Sequence, residues 1–519
     1  NDDQNREWYA KSKIFVSIPK SDGTSVSVLE AMSAECVLVL SDLPVTHEWI
    51  SVKTGVIEQP EINPLIKAIA FCDSTILSQN KEFVDSIASR ENSIQKYFTP
   101  LRRNLLAVKF QFEKLYEFVL CLQVFSIICI PEISSILLAL SIPVLITGCI
   151  QRKLNYSFNF NLLPFVLLYL TYALCIINTK HMDIALRYLE YKFVFIYIPL
   201  VFLFRPKSTL GLERIYKTIV YSASSLSAYS IIRSSIVFYN SNNVNSFFTS
   251  QFSSIHHPTY ASLYFFTSLF ILFYIPVFKK PAYKNFNIVL AFLSIYFCLS
   301  LAGLLFLFVW LLCKSILWLY TLNTWRIKGL IILASALFFY IAFNYLPNVK
   351  DEWKNASCYA NSFIKNPVEF LSQHTVGLSG TEARIVLWTA SFKIIMKHPW
   401  GVGTGNVDDV LSNELNAMKQ YELAKKNYNP HNQYLQTAME IGLPGLGILL
   451  WLLIRALIFA RKHKHLFLFW FTLNLAFNML FESILQKQSG IVFSTLVMCL
   501  IFVFSTTHVS NFKNKIECP

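Results

Sequence analysis

From about residue 115 onward, apolar residues come in blocks of 16–25 separated by short polar or basic stretches, while residues 1–105 have the mixed composition of a soluble sequence. A helix needs about 20 apolar residues to cross a bilayer. Repeated blocks of that length therefore leave few options besides a polytopic, mainly α membrane bundle behind a small soluble front piece. Composition agrees: 54% of the 519 residues are hydrophobic and 15% are charged, where soluble domains carry about a quarter. A single globular enzyme, a disordered chain and a secreted disulfide scaffold are all excluded. Most of the eleven cysteines fall inside the apolar blocks without metal spacing, and read as buried thiols.

Twelve candidate spans follow, near 115–130, 132–150, 162–178, 189–205, 213–239, 257–278, 286–300, 302–320, 328–346, 441–460, 466–483 and 489–507. The first pair and the 286–320 pair could each be one long helix. The formal charge of +14 is explained by orientation. With the N-terminus cytoplasmic, the inside segments hold Arg152/Lys153, Arg205/Lys207/Arg214, Lys279/Lys280/Lys284, Arg326/Lys328, Arg461/Lys462/Lys464 and Lys513/Lys515, while the outside loop 240–256 has no Lys or Arg. That is the positive-inside pattern, so the excess charge does not call for nucleic acid. It predicts a membrane protein with both termini cytoplasmic and residues 347–440 on the outer face.

That long loop holds the chemistry-bearing strings. In the first (380–407), Arg384 opens an amphipathic helix that ends at His398-Pro399, before a glycine turn containing Gly401, Gly403 and Gly405. Alternating glycines stop a helix, and can also turn N–H groups toward an anion. In the second (429–453), His431 follows Pro430 at the start of a helix running into the tenth span. An imidazole there caps the helix or takes a proton from a sugar hydroxyl.

Taken together, Arg384-Ile-Val-Leu-Trp388, His398-Pro-Trp-Gly-Val-Gly-Thr-Gly405, His431-Asn-Gln-Tyr-Leu435 and Glu440-Ile-Gly-Leu-Pro-Gly-Leu446 resemble the O-antigen ligase/polymerase superfamily over residues 115–510. The resemblance implies a GT-C-like bundle of about twelve helices with one large periplasmic loop. It also implies a metal-independent glycosyl transfer without cofactor, from undecaprenyl pyrophosphate to a hydroxyl of lipid A-core or of another glycan. His431 would be the base and Arg384 the pyrophosphate clamp, with Asn432 and Gly403 among the substrate contacts. A second arginine is implied. Arg233, inside the fifth span, would cost about 2.5–3.5 kcal/mol to insert and should face a cavity or a partner; Arg187, in the HMDIALRYLEYK loop, is the other candidate. His257, in His256-His257-Pro258-Thr259-Tyr260, is a further glycan or pyrophosphate contact, and the histidine pair lacks the additional ligands a metal needs. Relatives carry a Ser-Arg-Gly-like turn where this chain has Leu299-Ser-Leu-Ala-Gly-Leu304, without arginine.

The front piece reads strand (Ile14–Ile18), helix (Ser25–Ser33), strand (Val37–Ser41), a β-α-β half-turn. Its string Asp22-Gly-Thr-Ser-Val-Ser-Val-Leu-Glu30 resembles the donor-binding half of family-4 retaining nucleotide-sugar glycosyltransferases. By that resemblance Glu30 would hold ribose hydroxyls, and Asp22, Thr24 and Ser25 would lie at the pyrophosphate end of the helix. The piece is too short for such an enzyme, so it is expected to be vestigial, truncated or fused. The chain starts at Asn1 without an initiator Met, which fits a lost N-terminus or a fragment. The expected divisions are 1–105, an incomplete Rossmann-like fragment; 106–346, spans one to nine; 347–440, the periplasmic loop; and 441–519, the last three spans and tail. Two competing readings are a glycan flippase, which should show internal repeats and broken mid-membrane helices, and an anchored cytoplasmic transferase, which would not need twelve spans.

Overall fold

A computed structural model describes residues 8, 9, 11–17, 26–41, 55–57, 112–206, 212–321, 333, 349–373, 380–426 and 428–516. The chain divides into two units, Asn1–Gln111 and Phe112–Pro519.

In the first unit, β1 (Ile14–Ser17), α1 (Val26–Ser33), β2 (Val37–Leu40) and β3 (Gly55–Ile57) make a three-stranded sheet in the order β1-β2-β3. Both pairings are parallel, with Ile14 opposite Val37 and Leu38 opposite Gly55. The fully apolar β2 is buried along its length, and Val28, Ala31 and Met32 of α1 cover it. Such a continuous apolar run suits a central strand flanked on both sides. Asp22, Thr24 and Ser25 lie outside the described residues.

Among its described residues the second unit is mainly helical, with one small ribbon. It opens with α2 (Phe112–Cys129), α3 (Ser134–Ala139) and α4 (Ser141–Ile150). The break after α2 comes at Pro131, which starts a 3-10 turn, because proline cannot donate inside a helix. β4 (Leu154–Tyr156), α5 (Leu163–Leu174), α6 (Met182–Lys192), α7 (Val194–Leu203) and β5 (Phe204–Pro206) follow. The stretch expected as an outside loop before the fourth span is thus largely helical. β4 and β5 pair antiparallel, which brings the loops after α4 and α7 to one end of the bundle.

Next come α8 (Leu212–Ser241), α9 (Thr249–Phe252), α10 (Pro258–Tyr274), α11 (Pro281–Cys298) and α12 (Leu301–Thr321). Leu299 adopts φ 40°, so 286–320 is two helices. The ninth expected span, 328–346, lies outside the described residues. The long loop folds into α13 (Val349–Lys365), α14 (Pro367–Gln373), α15 (Gly380–Lys397), α16 (Val407–Ala417) and α17 (Tyr421–Lys425). The chain closes with α18 (Gln433–Lys462), α19 (Leu466–Asn478) and α20 (Gln488–Ile516).

Among the described residues, three helical stretches, Pro131–Ile150, Phe160–Asn178 and Gln433–Lys462, are long and apolar enough to cross a membrane, and Pro258–Tyr274, Ala302–Leu317, Leu466–Asn478 and Gln488–Phe504 are shorter apolar helices. The bundle exposes many large apolar side chains, including Ile136, Ile146, Leu174, Ile232 and Ile454. Apolar surface on that scale suits lipid better than water. Its centre is α10, buried from Pro258 to Leu272 and packed on α8, α11 and α19; its Tyr264 ring lies 4.6 Å from Phe493 of α20. A helix apolar on every side has to sit in the middle. The loop helices build a second core, in which Val386, Leu387, Ala390 and Ile394 of α15 meet Leu411, Leu415, Leu435 and Met439.

Candidate active site

The site forms where α10 and α18 begin, beneath α15. Asn432 is the N-cap of α18: its Oδ1 accepts from the amides of Tyr434 and Leu435, at 2.9 and 3.1 Å, and its Nδ2 donates to the Leu480 carbonyl at 3.1 Å. His431, just before the cap, takes φ 46°, a left-handed conformation that costs a non-glycine residue about 1–2 kcal/mol. Two contacts hold it there. Its amide donates to Asn429 Oδ1 at 2.9 Å, and the Trp388 indole donates to the Pro430 carbonyl at 2.8 Å. Trp388 is one turn from Arg384 on α15, so the contact that holds the histidine turn also sets the register of the arginine.

The His431 imidazole presents Nδ1 to Glu482 Oε2 at 3.2 Å. Glu482 lies beyond α19, which ends at Asn478, and its side chain is 8% exposed. The same oxygen is 3.9 Å from Nδ1 of His257, the residue just before α10, and Oε1 accepts from the Ser483 amide at 3.2 Å. Burial pushes the Glu482 carboxyl up, but the hydrogen bond from His431 and the charges of His431 and His257 outweigh it, so the pKa falls below the ordinary value. Burial lowers His257; Glu482 opposes this, while Lys487, His431 and Arg384 reinforce it.

An ionised carboxylate only accepts hydrogen bonds. Glu482 therefore fixes the His431 tautomer with hydrogen on Nδ1 and leaves Nε2 able to take a proton. Beside this pair is a cavity of about 370 Å³ lined by His257, Thr259, Ser300, Thr381, Arg384 and Phe481, among others. Half-buried Arg384 supplies its cationic wall, and Ser300 belongs to the turn that lacks an arginine. Among the described residues no three His, Cys, Asp or Glu side chains are grouped to hold a metal.

Other expected site residues are distributed differently. Arg233 Nη1 donates to the Gln251 carbonyl at 2.7 Å and ties α8 to the short α9, whose Thr249 also lines the cavity. Arg187 is exposed on α6, away from the cavity lining. The Gly403 amide donates to the Glu440 carbonyl at 3.2 Å, and a Cβ there would stand 3.1 Å from the Cys175 carbonyl oxygen. The glycine turn thus seats the loop on α5 and on the bend of α18, assisted by Asn406, whose side chain bonds Thr179, Lys180, Asn178 and Val402. His256 is buried against the Ile128 carbonyl at 2.9 Å. Glu30 is exposed on α1 near the Tyr9 phenol, whose pKa is raised by burial and then by Glu30.

Glu482 did not stand out in the sequence, because it closes the apolar block 466–483. An acid inside a candidate span was the available signal. Beneath the site Lys192, 1% exposed, reaches the Leu485 carbonyl and Gln486 Oε1, both at 3.4 Å, and lies 3.9 Å from Glu440. Gln486 in turn donates to Glu440 at 2.9 Å, and this buried network holds the segment that follows Glu482.

Residues 286–450 match the family described as O-Antigen ligase (Wzy_C). The apolar helices are consistent with a helical membrane protein, and the match supports a ligase-like, glycosyltransferase-type role in polysaccharide assembly. The match includes Arg384 and His431 and leaves out His257, Glu482 and the first unit. No curated protein matches the chain.

Proposed function

We propose that the protein is an inner-membrane glycosyltransferase that moves a glycan from undecaprenyl pyrophosphate to a hydroxyl of lipid A-core or of another glycan, with residues 347–440 on the periplasmic side. The observation that carries this reading is the His431–Glu482 pair beside a cavity walled by Arg384. The acceptor hydroxyl approaches His431 Nε2, which takes its proton as the acceptor oxygen bonds to the anomeric carbon. The bond from that carbon to the pyrophosphate oxygen breaks, and the electron pair leaves on the pyrophosphate. Glu482 stabilises the imidazolium formed. Arg384 holds the departing phosphate oxygens in a forked contact, the role for which guanidinium geometry is suited. His257 and Arg233 border the donor headgroup, and Arg187, exposed on α6, would meet the glycan. No cofactor enters the scheme.

The test is complementation of a ligase-null and a polymerase-null strain, reading the lipopolysaccharide ladder. Restoration of the first strain supports the ligase. Restoration of the second alone assigns the same chemistry to repeat-unit polymerisation, and glycan found only on protein assigns it to protein O-oligosaccharyl transfer. His431→Ala should lower transfer by about 10²–10⁴, and Arg384→Ala should abolish ladder formation at unchanged protein level. Full activity in His431→Ala removes the proposed base. Movement of intact lipid-linked glycan between leaflets without transfer favours a flippase instead.

A further inference from the structure

The outward side of α15 exposes large apolar side chains between its lysines, where a water-facing helix would be polar throughout. One side of the helix is packed through Val386, Leu387, Ala390 and Ile394. On the other, Phe392, Met396 and, just past the helix end, Trp400 are 59%, 82% and 76% exposed. Phe392 and Met396 are one turn apart and share a face.

This stripe continues into the apolar surface of α18. The Leu443 amide donates to the Pro399 carbonyl at 2.8 Å. A Cβ on Gly442 would stand 2.4 Å from the Trp400 carbonyl carbon, so Trp400 directly abuts the point where α18 turns apolar. From there Leu443, Leu450, Ile454 and Ile458 are all exposed, spaced so that they follow one side of the helix. Gln433–Lys462 is itself long and apolar enough to cross a membrane. The other end of α15 is placed at a similar level, because Arg384 lines the cavity with His257 and Pro258, where the apolar α10 starts. α15 has 18 residues and is therefore about 27 Å long. It bridges the starts of two apolar helices, so it runs across them instead of projecting away.

We propose that the Phe392–Met396–Trp400 stripe is seated in the headgroup–acyl boundary of the membrane, and that α15 is an interfacial helix carrying Arg384 at phosphate level. The chemistry of the stripe suits a lipid surface: a Trp at the interface, exposed Lys393 between the apolar residues, and His398 at the helix end. A lipid-linked anion diffusing in that leaflet would carry its phosphate in the plane of Arg384, without having to leave the bilayer. The proposal depends on the membrane-spanning reading of α18 and not on glycan transfer, so the two fail separately.

The test places the photocrosslinker p-benzoylphenylalanine singly at positions 392, 396, 416 and 450 of the full-length protein, in nanodiscs of phosphatidylethanolamine and phosphatidylglycerol. After irradiation, lipid adducts are read by mass spectrometry. Positions 392 and 396 should give adducts at the level of position 450 on α18, and position 416, exposed at the end of α16, should give none. Adducts at 450 without adducts at 392 and 396 overturn the proposal. So do crosslinks from 396 to a second copy of the chain, which would make the stripe a protein interface.

Discussion

At the scale of single residues, the site depends on a carboxylate that two histidines share. Glu482 has a lowered pKa, so the stability it contributes is fully present at neutral pH and is lost as pH falls below the ordinary carboxylate value toward the lowered one. His257 is also lowered in the folded protein, so the unfolded chain binds its proton first. Stability then falls as pH drops through the ordinary histidine value. Both effects have the same sign, with the histidine acting first. We expect the thermal stability of the detergent-solubilised protein to fall from pH 7.5 to 5.5, and His257→Asn to flatten that slope. Glu482→Gln should keep the fold but lower transfer, since an amide can present its NH₂ to Nδ1 and favour the other tautomer, the effect that a carboxylate-to-amide change has in catalytic triads. Activity assayed in membranes across the same pH range separates this from a loss of folded protein.

Among the elements, the decisive one is the bend in α18. Ile441 and Gly442 leave helical geometry within Gln433–Lys462, and Gly442 has φ 74°. The bend lets the first two turns pack under α15 while the remainder follows the bundle. It also brings the backbones of Trp400, Gly401 and Gly442 into contact, since a Cβ on Gly401 would meet the Gly442 nitrogen at 2.6 Å. Gly442→Ala combines left-handed strain with a backbone clash, so it should destabilise the protein by about 2–4 kcal/mol. Gly447→Ala on the same helix meets nothing within 4 Å and should be neutral or stabilising by about 0.5–1 kcal/mol. Thermal unfolding of the two variants side by side distinguishes the bend from a general preference for glycine in this helix. The glycine turn and the Glu-x-Gly string were legible as motifs. That they serve as the two halves of one backbone contact was not, because thirty-odd residues separate them and the contact involves no side-chain pattern.

At the scale of the whole molecule, the two units have separate cores, and the proposed chemistry falls wholly in the second. Removing residues 1–105 should leave ladder formation and membrane insertion intact. A truncated protein expressed at the normal level but inactive would show that the first unit takes part in the reaction. The periodicity of apolar blocks anticipated most helices of the second unit, including α2, α5, α8, α10, α11 and α12, because each must bury or expose a continuous apolar length. It failed to locate Glu482 outside a helix, since the apolar block continues past Asn478 where the backbone stops being helical.

The sequence by itself pointed to a mainly helical membrane protein, because hydropathy is a local quantity accumulated over one helix length. Arg384 and His431 came forward through the resemblance of their strings to the O-antigen ligase/polymerase superfamily. Only the tertiary structure decided which groups meet. It brought Glu482, 51 residues downstream of His431, and His257 to one carboxylate oxygen, and turned Asn432 and Gly403 toward capping and backbone packing. It also set Arg233 on a loop carbonyl and laid α15 across the helix ends. Those outcomes depend on long-range closure of the chain, and no window of sequence contains both partners of a contact made across the bundle.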